Sequence, residues 1–110
     1  PEDELPAVRL RITEGYPVLE NDPDMARWAV DVLREEQLVV DPIPRLNFGG
    51  EDFAYYCEKV PGLFMFLGTN NPAKGITAVN HSSRFDIDED VLALGVRAFL
   101  ALVDDFQKEA

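Results

Sequence analysis

Five consecutive apolar residues, Leu63-Phe64-Met65-Phe66-Leu67, lie between Gly62 and Gly68. A run of that length is strand-sized, and it lacks the apolar–polar alternation of a strand with one wet face. Such a strand has to be covered on both faces, as happens in the middle of an α/β sheet. Few other segments can serve as its neighbours. Val8, Leu10 and Ile12 alternate with Arg9, Arg11 and Thr13, the period-two pattern of a half-buried strand, until the turn-like Glu14-Gly15-Tyr16-Pro17. Leu38-Val39-Val40 is a third short strand. Three short strands make too small a sheet to bury one of them on both faces, so more sheet is expected to lie outside this chain.

The helices follow from local signals. In Asn21-Asp22-Pro23-Asp24, Asp22 suits the cap, Pro23 the first helical position and Asp24 the positive end of the dipole. Met25, Trp28, Ala29, Val32 and Leu33 then share one face, which predicts a helix from residue 23 to about 36. Asp41-Pro42-Ile43-Pro44 reads as an extended connector, because each proline moves its predecessor out of the α region. A short helix is predicted to start near Glu51 and to end at Pro61-Gly62, and residues 68–80 form a loop. Asp86-Ile87-Asp88-Glu89 opens a last helix to about residue 107, with Leu92, Gly95, Val96, Phe99, Leu102, Val103 and Phe106 as its apolar stripe. The expected class is α/β: a partial mixed sheet with covering helices.

The chain's 110 residues suffice for one core and not for two. Ten basic residues against twenty-one acidic ones give a formal net charge of −11, which disfavours nucleic acid and anionic membranes as partners. Beyond that, an acidic surface says nothing specific. A single cysteine excludes an internal disulfide framework, and a cytoplasmic location is the expectation. No apolar run approaches the roughly 20 residues that cross a bilayer, and no leader pattern precedes the first strand. The chain begins at Pro1 without an initiator methionine, so a natural start upstream is expected.

Few residues could carry chemistry. Cys57 with His81 could form a nucleophilic pair, but Cys57 sits mid-helix beside Glu58, where acidity disfavours the thiolate. It reads better as a small packed thiol. No Gly-x-Ser-x-Gly turn exists for a serine nucleophile. A zinc site needs three or four ligands, and His81 is the only histidine, with no cysteine or histidine at ligand spacing. Asp88, Glu89 and Asp90 read as helix-start residues. Taken alone, His81 would be an ordinary loop histidine. Gly49-Gly50 before a helix could cradle an anion, but Glu51 and Asp52 bring negative charge to that end, so a tight turn with close backbone approach is the plainer role.

Several motifs then fall in one order. Gly49-Gly50-Glu51-Asp52-Phe53-Ala54-Tyr55-Tyr56 precedes Val60-Pro61-Gly62-Leu63-Phe64-Met65-Phe66-Leu67-Gly68-Thr69. Asn80-His81-Ser82-Ser83-Arg84-Phe85-Asp86-Ile87-Asp88-Glu89 and an amphipathic helix follow. With Gly15-Tyr16-Pro17 and Asn21-Asp22, this closely resembles the C-terminal third of the M20 metallopeptidase and amidohydrolase family. The nearest branch is that of N-acyl-amino-acid amidohydrolases, hippurate hydrolases and auxin-conjugate hydrolases.

The resemblance implies a catalytic α/β domain binding two divalent ions (zinc, manganese or cobalt), with an inserted lid domain that often dimerises. Residues 1–15 would end the lid, and residues 16–110 would close the catalytic domain. His81 matches the late metal-ligating histidine, although Asn80 replaces the leucine-like residue common before it. Gly49, Gly50 and Glu51 match a signature lining the substrate cleft. The family's other metal ligands and its general-base glutamate lie upstream, outside this chain, so no catalytic residue is assigned. This chain alone is expected to hold no ion tightly and to be inactive. The parent is expected to hydrolyse the amide of N-acyl amino acids or small peptides, with the missing N-terminal part of the catalytic domain and a homodimer mate as partners. A dipeptidase or carboxypeptidase of the same family is the enzymatic alternative, and a binding or assembly module without metal is the non-catalytic one.

Overall fold

The computed structural model describes residues 8–41 and 49–109. Helix α1, Pro23–Glu35, starts where the capping signals lie, with Asp22 Oδ1 accepting from the N–H groups of Asp24 and Met25 at 3.0 and 2.9 Å. Arg34 sits in its last turn, and Gln37 leaves in the left-handed region (φ 59°). Helix α2 is a single turn, Ala54–Cys57. Helix α3, Leu92–Glu109, follows a 3₁₀ turn at Glu89–Val91 whose cap is Asp88. No helix among the described residues is long and apolar enough to cross a membrane.

The core lies between α1 and α3. Ala29, Val32 and Leu33 meet Leu102, with Trp28, Leu38, Val40, Leu63, Ala98 and Ala101 packed around them. Two polar ties hold the pair in register: the Trp28 indole N–H donates to Asp105 at 2.7 Å, and Arg97 donates to the Glu36 carbonyl at 3.0 Å. The apolar stripe of α3 is divided between two faces. Leu102 faces α1 beside Ala98 and Ala101, and Phe106 makes an edge contact with Trp28 of α1 (centroids 6.1 Å apart), while Val96, Phe99 and Val103 stay exposed, Phe99 by 71%. The helix is apolar on two sides, and small residues let α1 approach one of them. A helix of that kind belongs between two layers.

No strand ladder forms among the described residues. Their β pairing is the isolated antiparallel bridge between Asn71 and Ile76. Val8, Leu10 and Ile12 run extended and at least 78% exposed. Residues 63–67 lie against α3, where a Cβ on Gly95 would stand 3.1 Å from Leu67 Cδ2, but Met65, Phe66 and Leu67 remain exposed on the other side. Part of a neighbouring strand's role falls to Asn21, whose side-chain amide pairs with the backbone of Phe64, and to the Asp22 N–H, which donates to the Gly62 carbonyl at 2.9 Å. The Cα radius of gyration is 20.1 Å, whereas a self-contained domain of about 100 residues has about 13 Å. Among the described residues, several apolar segments have no second cover. The proposed connector prolines Pro42 and Pro44, and residues 1–7 of the predicted lid end, lie outside the described residues.

Candidate functional site

His81 stands on a long loop between the apolar run and α3. The loop begins with a tight hairpin: Asn71 and Ile76 exchange backbone hydrogen bonds at 2.9 and 3.0 Å around the 3₁₀ turn Pro72–Lys74. Gly75 closes it at φ 76°, a left-handed conformation that glycine adopts without strain. The chain then arcs through residues 77–87 and returns to the hairpin at Asp88.

Asp88 is buried, with 7% of its surface exposed, so its carboxylate must be compensated. Asn71 Nδ2 and Lys74 Nζ each donate to it at 2.6 Å, and the Asp90 N–H donates at 3.3 Å. The Asp88 N–H donates to the Thr69 carbonyl at 3.0 Å. The Asn71 hydrogen bond, then that of Lys74, holds the Asp88 carboxyl below its ordinary range. Lys74 also pairs with Asp90, and its ammonium is raised by Asp88 first and Asp90 second. Asp88 is thus the helix-start residue that the sequence predicts, and it is also the clamp of the loop. Only a lone lysine, Lys74, facing three acidic residues across the loop could have signalled the second role.

At the arc, His81 has φ 64°, a left-handed conformation that after glycine is commonest for Asn, Asp and His. Its N–H donates to Asn80 Oδ1 at 2.9 Å, and the Ser82 N–H donates to the Val79 carbonyl at 3.2 Å. The histidine is exposed, and its imidazole has no hydrogen-bond or ion-pair partner among the described residues. Its backbone turn is settled locally, and its ring is left available.

Gly50 is positioned by Tyr16. A Cβ on it would come within 2.7 Å of the Tyr16 ring, which also makes an edge contact with Tyr55 (centroids 6.1 Å apart). Close approach is therefore the use made of this glycine. Gly49 is exposed beside it. Glu51 Oε1 accepts from the Phe53 N–H at 3.1 Å and so stabilises the entry to α2. Cys57 is half-buried and packs against Gly62, where a Cβ would lie 2.6 Å from its sulfur.

A divalent ion needs several anionic or imidazole donors converging on one point. No group of three such side chains able to hold an ion occurs among the described residues. Among the described residues His81 offers a single imidazole donor with no further ligand-type side chains converging on it, which fits one position of a larger donor set and no more than that.

A model of the family described as "Peptidase family M20/M25/M40" matches residues 7–105. Thermostable carboxypeptidase 2 of Saccharolobus solfataricus is 40% identical over 94 residues, which cover 86% of this chain and 23% of that protein. Thermostable carboxypeptidase 1 of the same organism gives the same identity and the same coverage, 40%, 86% and 23%. An uncharacterized hydrolase of Staphylococcus aureus is 32% identical over 100 residues, 90% of this chain and 26% of that protein. The chain thus spans about a quarter of the length of the curated relatives it matches. No solved structure matches it significantly.

Proposed function

The chain belongs to peptidase family M20/M25/M40, and on that premise we propose that it is the closing part of an α/β catalytic domain in a metal-dependent hydrolase cleaving the amide bond of N-acyl amino acids. In this reading His81 gives one imidazole nitrogen to a divalent ion completed by ligands elsewhere in the parent. The two divalent ions that the family resemblance implies (zinc, manganese or cobalt) would, when bound, supply Lewis-acid polarisation of the scissile carbonyl and a more acidic water, with His81 holding one of them. Gly49 and Gly50 line the substrate cleft, with Gly50 seated against the Tyr16 ring. Glu51 holds the turn that follows them. The sheet that should flank residues 63–67 and the uncovered side of α3 is supplied by the rest of that domain.

The observation that carries this reading is the match of residues 7–105 to the family model together with the place of His81, exposed on the Asn80-His81-Ser82 turn before the last helix. A ligating imidazole gives one ring nitrogen to the ion, and an acceptor in the parent would hold the other. A second reading, a carboxypeptidase, draws support from the names of the two Saccharolobus relatives.

The test uses the full-length parent. His81→Asn should release the ion and lower kcat/KM by more than the roughly 10- to 100-fold typical of changes to ligand-orienting residues. Wild-type metal content and activity in that variant would defeat the ligand assignment. A panel of N-acyl amino acids against dipeptides and longer peptides with a free amino terminus separates the two enzymatic readings by kcat/KM. Tight zinc binding by the isolated chain in calorimetry would contradict the view that the site is completed from outside.

A further inference from the structure

The arc that bears His81 is attached to the molecule in an unusual way. Among the described residues, the hydrogen bonds of residues 79–87 stay within that segment: Ser82 to Val79, Phe85 and Arg84 to Ser82, His81 to Asn80 and Ile87 to Asp86. The ties to the remaining structure sit at the arc's foot. There Asp88 joins Thr69, Asn71 and Lys74, so the two ends of the arc are fixed side by side.

We propose that Asp88 is a positioning residue for His81. It acts through Asn71 and Lys74, which close the neck of the loop and fix where the imidazole is presented. The inference deepens the reading of His81 as an ion ligand and rests on it. The physical case has three parts. A buried carboxylate with three donors has little freedom to move. The hairpin it grips is rigid, with two backbone hydrogen bonds and a glycine-closed turn. The arc has no other hydrogen-bonded anchor among the described residues, so a displacement at Asp88 passes directly to His81. Groups that orient a ligand without touching the ion typically change metal affinity by about 10- to 100-fold when lost.

The test measures cobalt(II) affinity of the full-length parent by chelator competition, with the cobalt d–d absorption as a second signal. The variants are Asp88→Asn, Lys74→Met, His81→Asn and the Asp88→Asn/His81→Asn pair. Asp88→Asn should weaken binding by about 10- to 100-fold and alter the absorption. Lys74→Met should act in the same direction and less strongly. Once His81 is gone, Asp88→Asn should add nothing, because its effect runs through that imidazole. An unchanged affinity in Asp88→Asn, with His81→Asn weakened, overturns the clamp and leaves the ligand reading standing. Full additivity in the pair also overturns it, since Asp88 would then be supporting the fold at large. Wild-type affinity in His81→Asn removes the reading beneath the proposal. Should Asp88→Asn fail to fold, Lys74→Met and Asn71→Ala, each paired with His81→Asn, decide the question by the same criteria.

Discussion

Asn21 and Phe64 share two hydrogen bonds: Asn21 Nδ2 donates to the Phe64 carbonyl at 2.9 Å, and Asn21 Oδ1 accepts from the Phe64 N–H at 2.7 Å. A primary amide offers the same donor–acceptor pair as a peptide unit, so one side chain stands in for a strand neighbour. Replacing it by alanine leaves two half-buried backbone groups unpaired. Asn21→Ala should destabilise the parent by about 1–3 kcal/mol in denaturant titrations. Asn21→Asp, which keeps the acceptor and loses the donor, should fall between. A neutral Asn21→Ala would mean that water or another segment replaces the pair.

Gly62 and Cys57 should be coupled. The Cβ of Gly62→Ala would lie 2.6 Å from the Cys57 sulfur, in a position that is buried. Overpacking of this kind costs about 1–3 kcal/mol. Cys57→Ala in the same protein should recover most of that loss. Simple addition of the two effects in a double-mutant cycle would argue against the contact.

Acid should loosen the loop neck. Asp88 is held below its ordinary value of 3.8, chiefly by Asn71 and then by Lys74. A depressed carboxylate contributes stability that is present above pH 3.8 and is lost as pH falls through the lower, folded-state value. Lys74, raised above 10.5, contributes below that pH and loses its contribution as pH rises through the folded-state value. Stability measured against pH should therefore have an acid limb that Asp88→Asn flattens and an alkaline limb that Lys74→Met flattens. Unaltered limbs would disprove the linkage.

The uncovered side of α3 should make the isolated chain self-associate. Val96, Phe99, Leu100 and Val103 are each at least 50% exposed on one helix, and contiguous apolar surface of that kind drives association. Sedimentation velocity should show oligomers that Phe99→Glu disperses. In the full-length parent the same change should cost at least about 3 kcal/mol if, as proposed, the rest of the catalytic domain covers that ring. A monomeric wild-type chain, or a parent indifferent to the change, would contradict the two-sided role of α3.

The helices were legible because their signals are local. Asp22, Pro23 and Asp24 start α1 within a residue of where the capping rules place it, and Asp88 caps the turn into α3. The strands could be recognised from alternation and apolar runs, but a ladder requires a partner, and the described residues supply none to Val8–Ile12 or Leu63–Leu67. The apolar stripe of α3 was legible, but which part of it meets α1 was not, because the close contact is made at Leu102 with the small residues Ala98 and Ala101 beside it. At the site, His81 stood out through the motif around it. The grip of Asp88 on Asn71 and Lys74 spans 17 and 14 residues, a separation that no periodicity encodes.

The left-handed turn at His81 also constrains what descent can do with the position. On the proposed reading of His81 as an ion ligand, a lineage that gave up ion binding would be released from needing imidazole but would still inherit the bend. Asn and Gly enter that conformation with little strain, while Val and Ile strongly resist it. Relatives bearing Asn or Gly there should retain the loop's shape while having abandoned metal, and those two letters at one site become a marker for silent members.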